Sequence, residues 1–177
     1  MITERDTIKC EAIYDDTKTH RMLLERIWDK TKPLATVITI QPNCSTNIIF
    51  DTTTYLSINN VARLGNYGGI IMVNLYSKLT NKLDFKHNKP EELNHESNNE
   101  HILNAVSRSE VAIIAWGKGI ESNKQITQRA TEVINLLKEH KNKIKLISDG
   151  KKVGVHPLQP RARNSWKLVD FQYETDD

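Results

Sequence analysis

Cysteine is scarce in this chain: Cys10 and Cys44 are the only two among 177 residues. Two thiols cannot build a disulfide framework, and with no histidine or cysteine at a ligand spacing nearby they do not suggest a metal site. Both are expected to be small, partly buried residues. Long apolar runs are absent as well, since no stretch approaches the roughly 20 residues that a membrane span requires. The N-terminal MITERDTIKCEA places charges where a secretion signal needs an apolar segment, so a cytoplasmic protein is expected. There is no internal repeat, low-complexity tract or long linker, which leaves a single domain over 1–177.

What remains is a polar globular composition, 38% hydrophobic and 27% charged, with a net charge of +3. The distribution of charge is more informative than its sum. Lysines cluster between Lys138 and Lys152, and Arg161, Arg163 and Lys167 follow. A basic C-terminal third suits phosphates, and equally suits an ordinary solvated surface.

Along the chain, KCEAIYD and RMLLERIWD flank the polar DDTKTH and predict a β-hairpin. LATVITI (34–40) predicts a buried strand ended by Gln41-Pro42, because proline cannot continue a ladder. TTYLSINNVARLG predicts a helix closed by Gly65, with Asp51 as its N-cap. GGIIMVNL (68–75) predicts a second strand and EVAIIAWG (110–117) a third, with NEHILNAVSR a helix between them. Residues 81–99 lack a period and predict an excursion over the surface. ITQRATEVINLLKEHK predicts an amphipathic helix, followed by the strand KIKLIS. Apolar strands alternating with helices predict an α/β fold: a three-layer α/β/α domain whose largely parallel sheet has about four strands, plus the N-terminal hairpin.

In such sheets a site forms at the carboxyl ends of the strands. Four clusters fall there: Gln41-Pro42-Asn43, Asn74-Leu75-Tyr76, Trp116-Gly117-Lys118, and the stiff basic loop VHPLQPRAR (155–163). Two further clusters carry less. His87, His95 and His101 with Glu91, Glu92 and Glu96 fit no metal-ligand spacing. Gly65, Gly68 and Gly69 precede a strand instead of following one, and read as a turn rather than a phosphate loop.

The four strand-end clusters resemble the motifs of the uracil-DNA glycosylase superfamily: IQPN (40–43), IMVNLYSKLT (71–80), IIAWG (113–117) and HPLQPRAR (156–163). Over almost the whole chain, RMLLERIWD (21–29), IQPNCST (40–46), NLY (74–76), AWG (115–117) and HPL (156–158) resemble a bacterial family catalogued as domain of unknown function 1643. The glycosylase resemblance implies removal of uracil flipped out of DNA, by water, without a metal or organic cofactor. DNA is the implied partner, with no membrane, and the protein is expected to act as a monomer.

The same resemblance implies roles for particular residues. Asn74 would read the base edge, helped by Asn43, with Phe50 or Tyr76 stacking on the ring. His156 would stabilise the charge that develops on uracil O2, on a loop stiffened by Pro157 and Pro160. Leu158 or Arg161 would fill the gap left in the stack, and Arg161, Arg163, Lys151 and Lys152 would hold phosphates. Where the most active superfamily members carry aspartate, this chain has Gln41. An amide cannot act as a base but can orient water through its oxygen. Asp51 is the alternative carboxylate. Two rivals remain: a non-catalytic binding module that kept the pocket, and a hydrolase acting on free nucleotides.

Overall fold

A computed structural model describes residues 1–43 and 48–173. Among the described residues seven strands form one sheet in the order β1-β2-β4-β3-β5-β6-β7. They are β1 (Lys9–Tyr14), β2 (Arg21–Ile27), β3 (Leu34–Thr39), β4 (Gly69–Asn74), β5 (Val111–Ile114), β6 (Ile144–Ser148) and β7 (Lys167–Asp170). The longer helices are α1 (Thr52–Arg63), α3 (Asn98–Arg108) and α4 (Lys124–Leu136), with the single turn α2 (Pro90–Leu93) before α3.

The α/β class agrees with the sequence, but the sheet is larger and mixed instead of four parallel strands. β4, β3, β5 and β6 are mutually parallel. The hairpin β1-β2 is present and does not stand apart: β2 pairs antiparallel with β4 and extends the sheet. At the other edge β7 pairs antiparallel with β6. KLVD lacks a sequence signal because this short edge strand is largely exposed and has no buried face to pattern.

Alternation along the central strands sends apolar side chains to both faces. Ile38, Ile71, Val73, Ala112 and Ile114 meet α3 and α4 through Ile102, Val106, Ala130 and Val133. Ala35, Val37, Ile70, Met72 and Ile113 meet α1 through Val61, together with Trp166 from the C-terminal segment. Burial on both faces explains why these strands read as continuous apolar runs.

Local chemistry sets the helix ends. Asp51 caps α1, accepting from the Thr54 amide at 3.0 Å and its hydroxyl at 2.6 Å. Gly65, with φ of 78°, follows the helix and bonds back to the Ala62 carbonyl. Asn123 caps α4 through the Gln125 amide.

Two expectations are corrected. Residues 81–99 are not a simple surface excursion, because Leu83 and Leu93 are buried in the core and α2 lies within the segment. Their two apolar anchors are too far apart to give a period. Cys10 is exposed, since the N-terminal half of β1 lies along the open edge of the sheet. Cys44 lies outside the described residues. Among the described residues no helix is long and apolar enough to cross a membrane.

Candidate functional site

The carboxyl ends of β3 and β4 open into a cavity of about 520 Å³. Its wall includes Gln41, Asn43, Asn74, His156 and Leu158, so the strand-end clusters from three distant parts of the chain do converge.

Asn74 ends β4 and is 4% exposed. The parallel ladder continues past the strand, with Leu75 N–H bonded to Thr39 O and Tyr76 N–H to Ile40 O, both at 2.9 Å. The buried Asn98 of α3 donates from Nδ2 to the carbonyls of Asn74 and Leu75, at 3.1 and 3.3 Å. Arg129 Nε donates to the same Leu75 carbonyl at 2.9 Å. The Asn74 backbone is thus clamped from α3 and α4 while the Thr39 hydroxyl donates to Asn74 Oδ1.

Gln41 ties the first cluster to the second, donating from Nε2 to the Thr80 carbonyl at 2.7 Å. With its nitrogen committed there, the amide has Oε1 left as an acceptor.

His156 is held on two sides. Its Nδ1 accepts from the Leu158 amide at 3.1 Å, so the neutral ring carries its proton on Nε2. Burial pushes its pKa below the ordinary histidine value, opposed by the carboxylate of Asp51. Behind the loop stands Gly117, with φ of 58°, where a Cβ would lie 2.7 Å from the His156 Cβ and 2.8 Å from its nitrogen. The glycine of AWG therefore lets the HP loop seat against the end of β5. The Trp116 side chain is core and lines no part of the cavity.

Other expected residues lie elsewhere. Tyr76 is 6% exposed, donates its hydroxyl to the Gln125 carbonyl at 3.1 Å, and borders a second cavity of about 320 Å³. Phe50 does not line the first cavity. Its ring faces the Arg26 guanidinium at 5.3 Å. Arg161, Arg163, Lys151 and Lys152 are exposed and lie outside the cavity wall. Asp51 does line the cavity, with both carboxylate oxygens engaged by Thr54.

Of the cavity residues that the sequence did not point to, Phe85, Lys82 and Arg21 carry the largest or charged side chains. Phe85 lies in both cavity walls and packs edge-on against Tyr76 at 5.6 Å between centroids. Lys82 belongs to the same polar segment, which gave no pattern to read. Arg21 opens β2, lines the cavity and is 3% exposed. A charged residue at the head of an apolar strand was the available signal for Arg21. The histidines of residues 81–101 do not converge: His87 pairs with Asp84, and His95 with Ser97. Among the described residues no group of three potential metal ligands forms.

Fold and site together define an α/β protein with a partly polar cleft at the carboxyl edge of its parallel strands. No curated protein and no solved structure matches the chain. The chain belongs to the family described as Protein of unknown function (DUF1643), which it matches over residues 21–158. The match runs from Arg21 to Leu158, both of which line the cavity.

Proposed function

We propose that this chain is a uracil-DNA glycosylase, a cytoplasmic base-excision enzyme that hydrolyses the N-glycosidic bond of a uracil flipped out of DNA. Its fold would then be a three-layer variant of that superfamily, widened by the hairpin and by β7. The observation that carries the reading is the setting of His156: its Nδ1 accepts from the Leu158 amide, which leaves Nε2 as the donor, at the wall of a cavity shared with Asn74.

Base departure leaves negative charge on uracil O2, and a preorganised neutral donor stabilises it without first having to shed a proton. The Leu158 amide holds the tautomer and Gly117 sets the distance of the loop. Asn74 supplies amide groups for the base edge. Gln41 Oε1 accepts a hydrogen bond from the attacking water and orients it toward the sugar; the water oxygen bonds to the sugar carbon as the bond to uracil breaks, and its proton goes to the departing uracil anion instead of to Gln41. In this reading Leu158, 39% exposed, enters the base stack, and the exposed Arg161, Arg163, Lys151 and Lys152 meet phosphates.

The test is incubation with single- and double-stranded uracil-containing oligonucleotides, scoring abasic sites by alkaline cleavage. The reading requires abasic sites that fall by about 10²–10³ in rate in His156→Ala. A second reading, a uracil-binding module without turnover, is favoured by one observation. Gln41 stands in place of a carboxylate, and the carboxylate in the same cavity wall, Asp51, is engaged in capping α1. Binding of the oligonucleotide without abasic sites would select that reading.

A further inference from the structure

The second cavity, of about 320 Å³, shares Phe85 with the first and lies in the size range of small-ligand sites. Tyr76, just past the end of β4, contributes to its wall, as do Gln125, Gln128, Arg129 and Glu132 of α4. The Phe85 and Tyr76 rings meet edge-on at 5.6 Å, and Tyr76 is held by its hydroxyl bond to the Gln125 carbonyl. Phe85 therefore gives both cavities aromatic surface, and Tyr76 extends it in the second.

Charge in this wall excludes one kind of ligand. Arg129 is its cation, and each guanidinium nitrogen is engaged: Nε by the Leu75 carbonyl, Nη1 by Glu132 and Nη2 by Asn99. Against that committed charge stand the carboxylates of Glu91 and Glu132, so a phosphate is repelled. Groups that suit a neutral ring are still there. Gln125 is bonded only through its backbone, to Tyr76 and within the Asn123 cap, so among the described residues its side-chain amide is unpaired. Gln128 donates from Nε2 to Glu132 at 3.2 Å and keeps Oε1. Asn94 accepts from Asn98 at 2.8 Å and keeps Nδ2.

We propose that the second cavity receives the base next to the one in the first cavity, so that the chain reads two consecutive bases of an unpaired strand. A ring entering it stacks on aromatic surface and meets amide donors and acceptors with its edge. Its phosphate stays outside, away from the two carboxylates. Phe85, common to both walls, parts the two neighbouring bases. In a duplex each of these bases would first have to leave its partner, and a single strand spares that cost twice. The proposal rests on the first cavity being a base pocket, and adds a position beside it that uracil does not fill.

The test measures binding of oligonucleotides by fluorescence anisotropy. Each carries one 2′-fluorinated deoxyuridine, whose glycosidic bond resists cleavage because fluorine disfavours a cation-like sugar. The base on its 5′ side, or on its 3′ side, is replaced by an abasic sugar, which keeps the phosphate. In single strands, loss of one of the two neighbours should weaken binding about tenfold or more, and loss of the other less than about threefold. Annealing the intact strand to its complement should weaken binding at least about tenfold. Gln125 and Gln128 are exposed on α4, so replacing both with alanine leaves the core intact. That double variant should cut the penalty for the missing neighbour by at least about threefold. Two dispensable neighbours, a penalty unchanged in the double variant, a duplex bound as tightly as the single strand, or no binding of any strand overturns the proposal. Abasic sites formed in ordinary uracil-containing DNA, with both neighbours dispensable, would keep the glycosylase reading and remove the second pocket. A neighbour-dependent affinity with no abasic sites would do the reverse.

Discussion

A Cβ added to Gly117 would stand 2.7 Å from the Cβ of His156, closer than side chains approach one another in folded proteins. The backbone there has φ of 58°, which disfavours any residue with a side chain. Gly117→Ala should therefore cost about 1–3 kcal/mol of stability and move the loop carrying His156. Denaturant unfolding gives the first quantity, and the His156 ring resonances report the second. An unchanged midpoint with unshifted resonances would remove the steric account of the AWG motif.

The lowered pKa of His156 predicts a direction for pH dependence. The unfolded chain titrates this ring near its ordinary value of about 6.5, while the folded protein binds the proton only at lower pH. Between those values the unfolded state holds more protons, so stability rises with pH. The cost is full below the folded pKa and gone above the unfolded one. His20, also lowered by burial, has the same sign, so the comparison is wild type against His156→Phe. The wild type should lose more stability than the variant on acidification from neutral pH. Parallel curves would contradict this assignment. Protonation also turns Nδ1 into a donor facing the Leu158 amide, so any His156-dependent activity should fall over the same range.

Asn98 is fully buried, and its Nδ2 serves the carbonyls of Asn74 and Leu75 and the Asn94 side chain. Asn98→Asp keeps the shape, removes the donors and sets a carboxylate against carbonyl oxygens. Loss of donors to buried acceptors costs about 1–3 kcal/mol, with more for the added charge. Thermal unfolding should show a clear drop that narrows at acid pH, where the aspartate is protonated and can donate. A drop that does not depend on pH would mean that the amide is not the clamp.

The buried Glu25 of β2 forms an ion pair with the half-exposed Arg108 of α3. Removing either partner should not be symmetrical. Arg108→Met leaves a carboxylate stranded in the interior, whereas Glu25→Gln releases an arginine that can reach water. Arg108→Met should be the more destabilising by about 1 kcal/mol or more, after allowance for the exposure of the arginine. Chemical denaturation of both variants measures the difference, and equal losses would argue that Glu25 is compensated by other groups.

If DNA is the partner, Lys151 and Lys152 should contribute through phosphates. Replacing both with alanine should lower the magnitude of the slope of log affinity against log salt by about 0.7–0.9 for each phosphate left unneutralised. Sequence preference should stay the same. A fluorescence-anisotropy titration over a range of salt concentrations checks both.

Much of the fold could be read from order along the chain. The apolar runs at 34–40, 68–75 and 110–117 became β3, β4 and β5 because burial on both faces leaves no alternation. Asp51 capped its helix and Gly65 ended it, since capping depends only on neighbours within a turn. β7 could not be read, because a short exposed edge strand is defined by the ladder it joins. Order along the chain likewise put Gln41 and Asn74 at the ends of β3 and β4 and His156 in the loop that follows β6, and parallel strands bring such segments to one edge.

Tertiary structure alone decided which side chains share the cavity. Arg21 enters it because β2 runs antiparallel beside β4, bringing the head of one strand to the tail of the other. Phe85 and Lys82 enter it because Leu83 and Leu93 anchor their segment in the core. Tyr76 leaves it because its hydroxyl is taken by Gln125. Periodicity and capping are written in neighbouring residues, whereas a cavity wall is the meeting of segments whose register depends on the packing of the whole sheet.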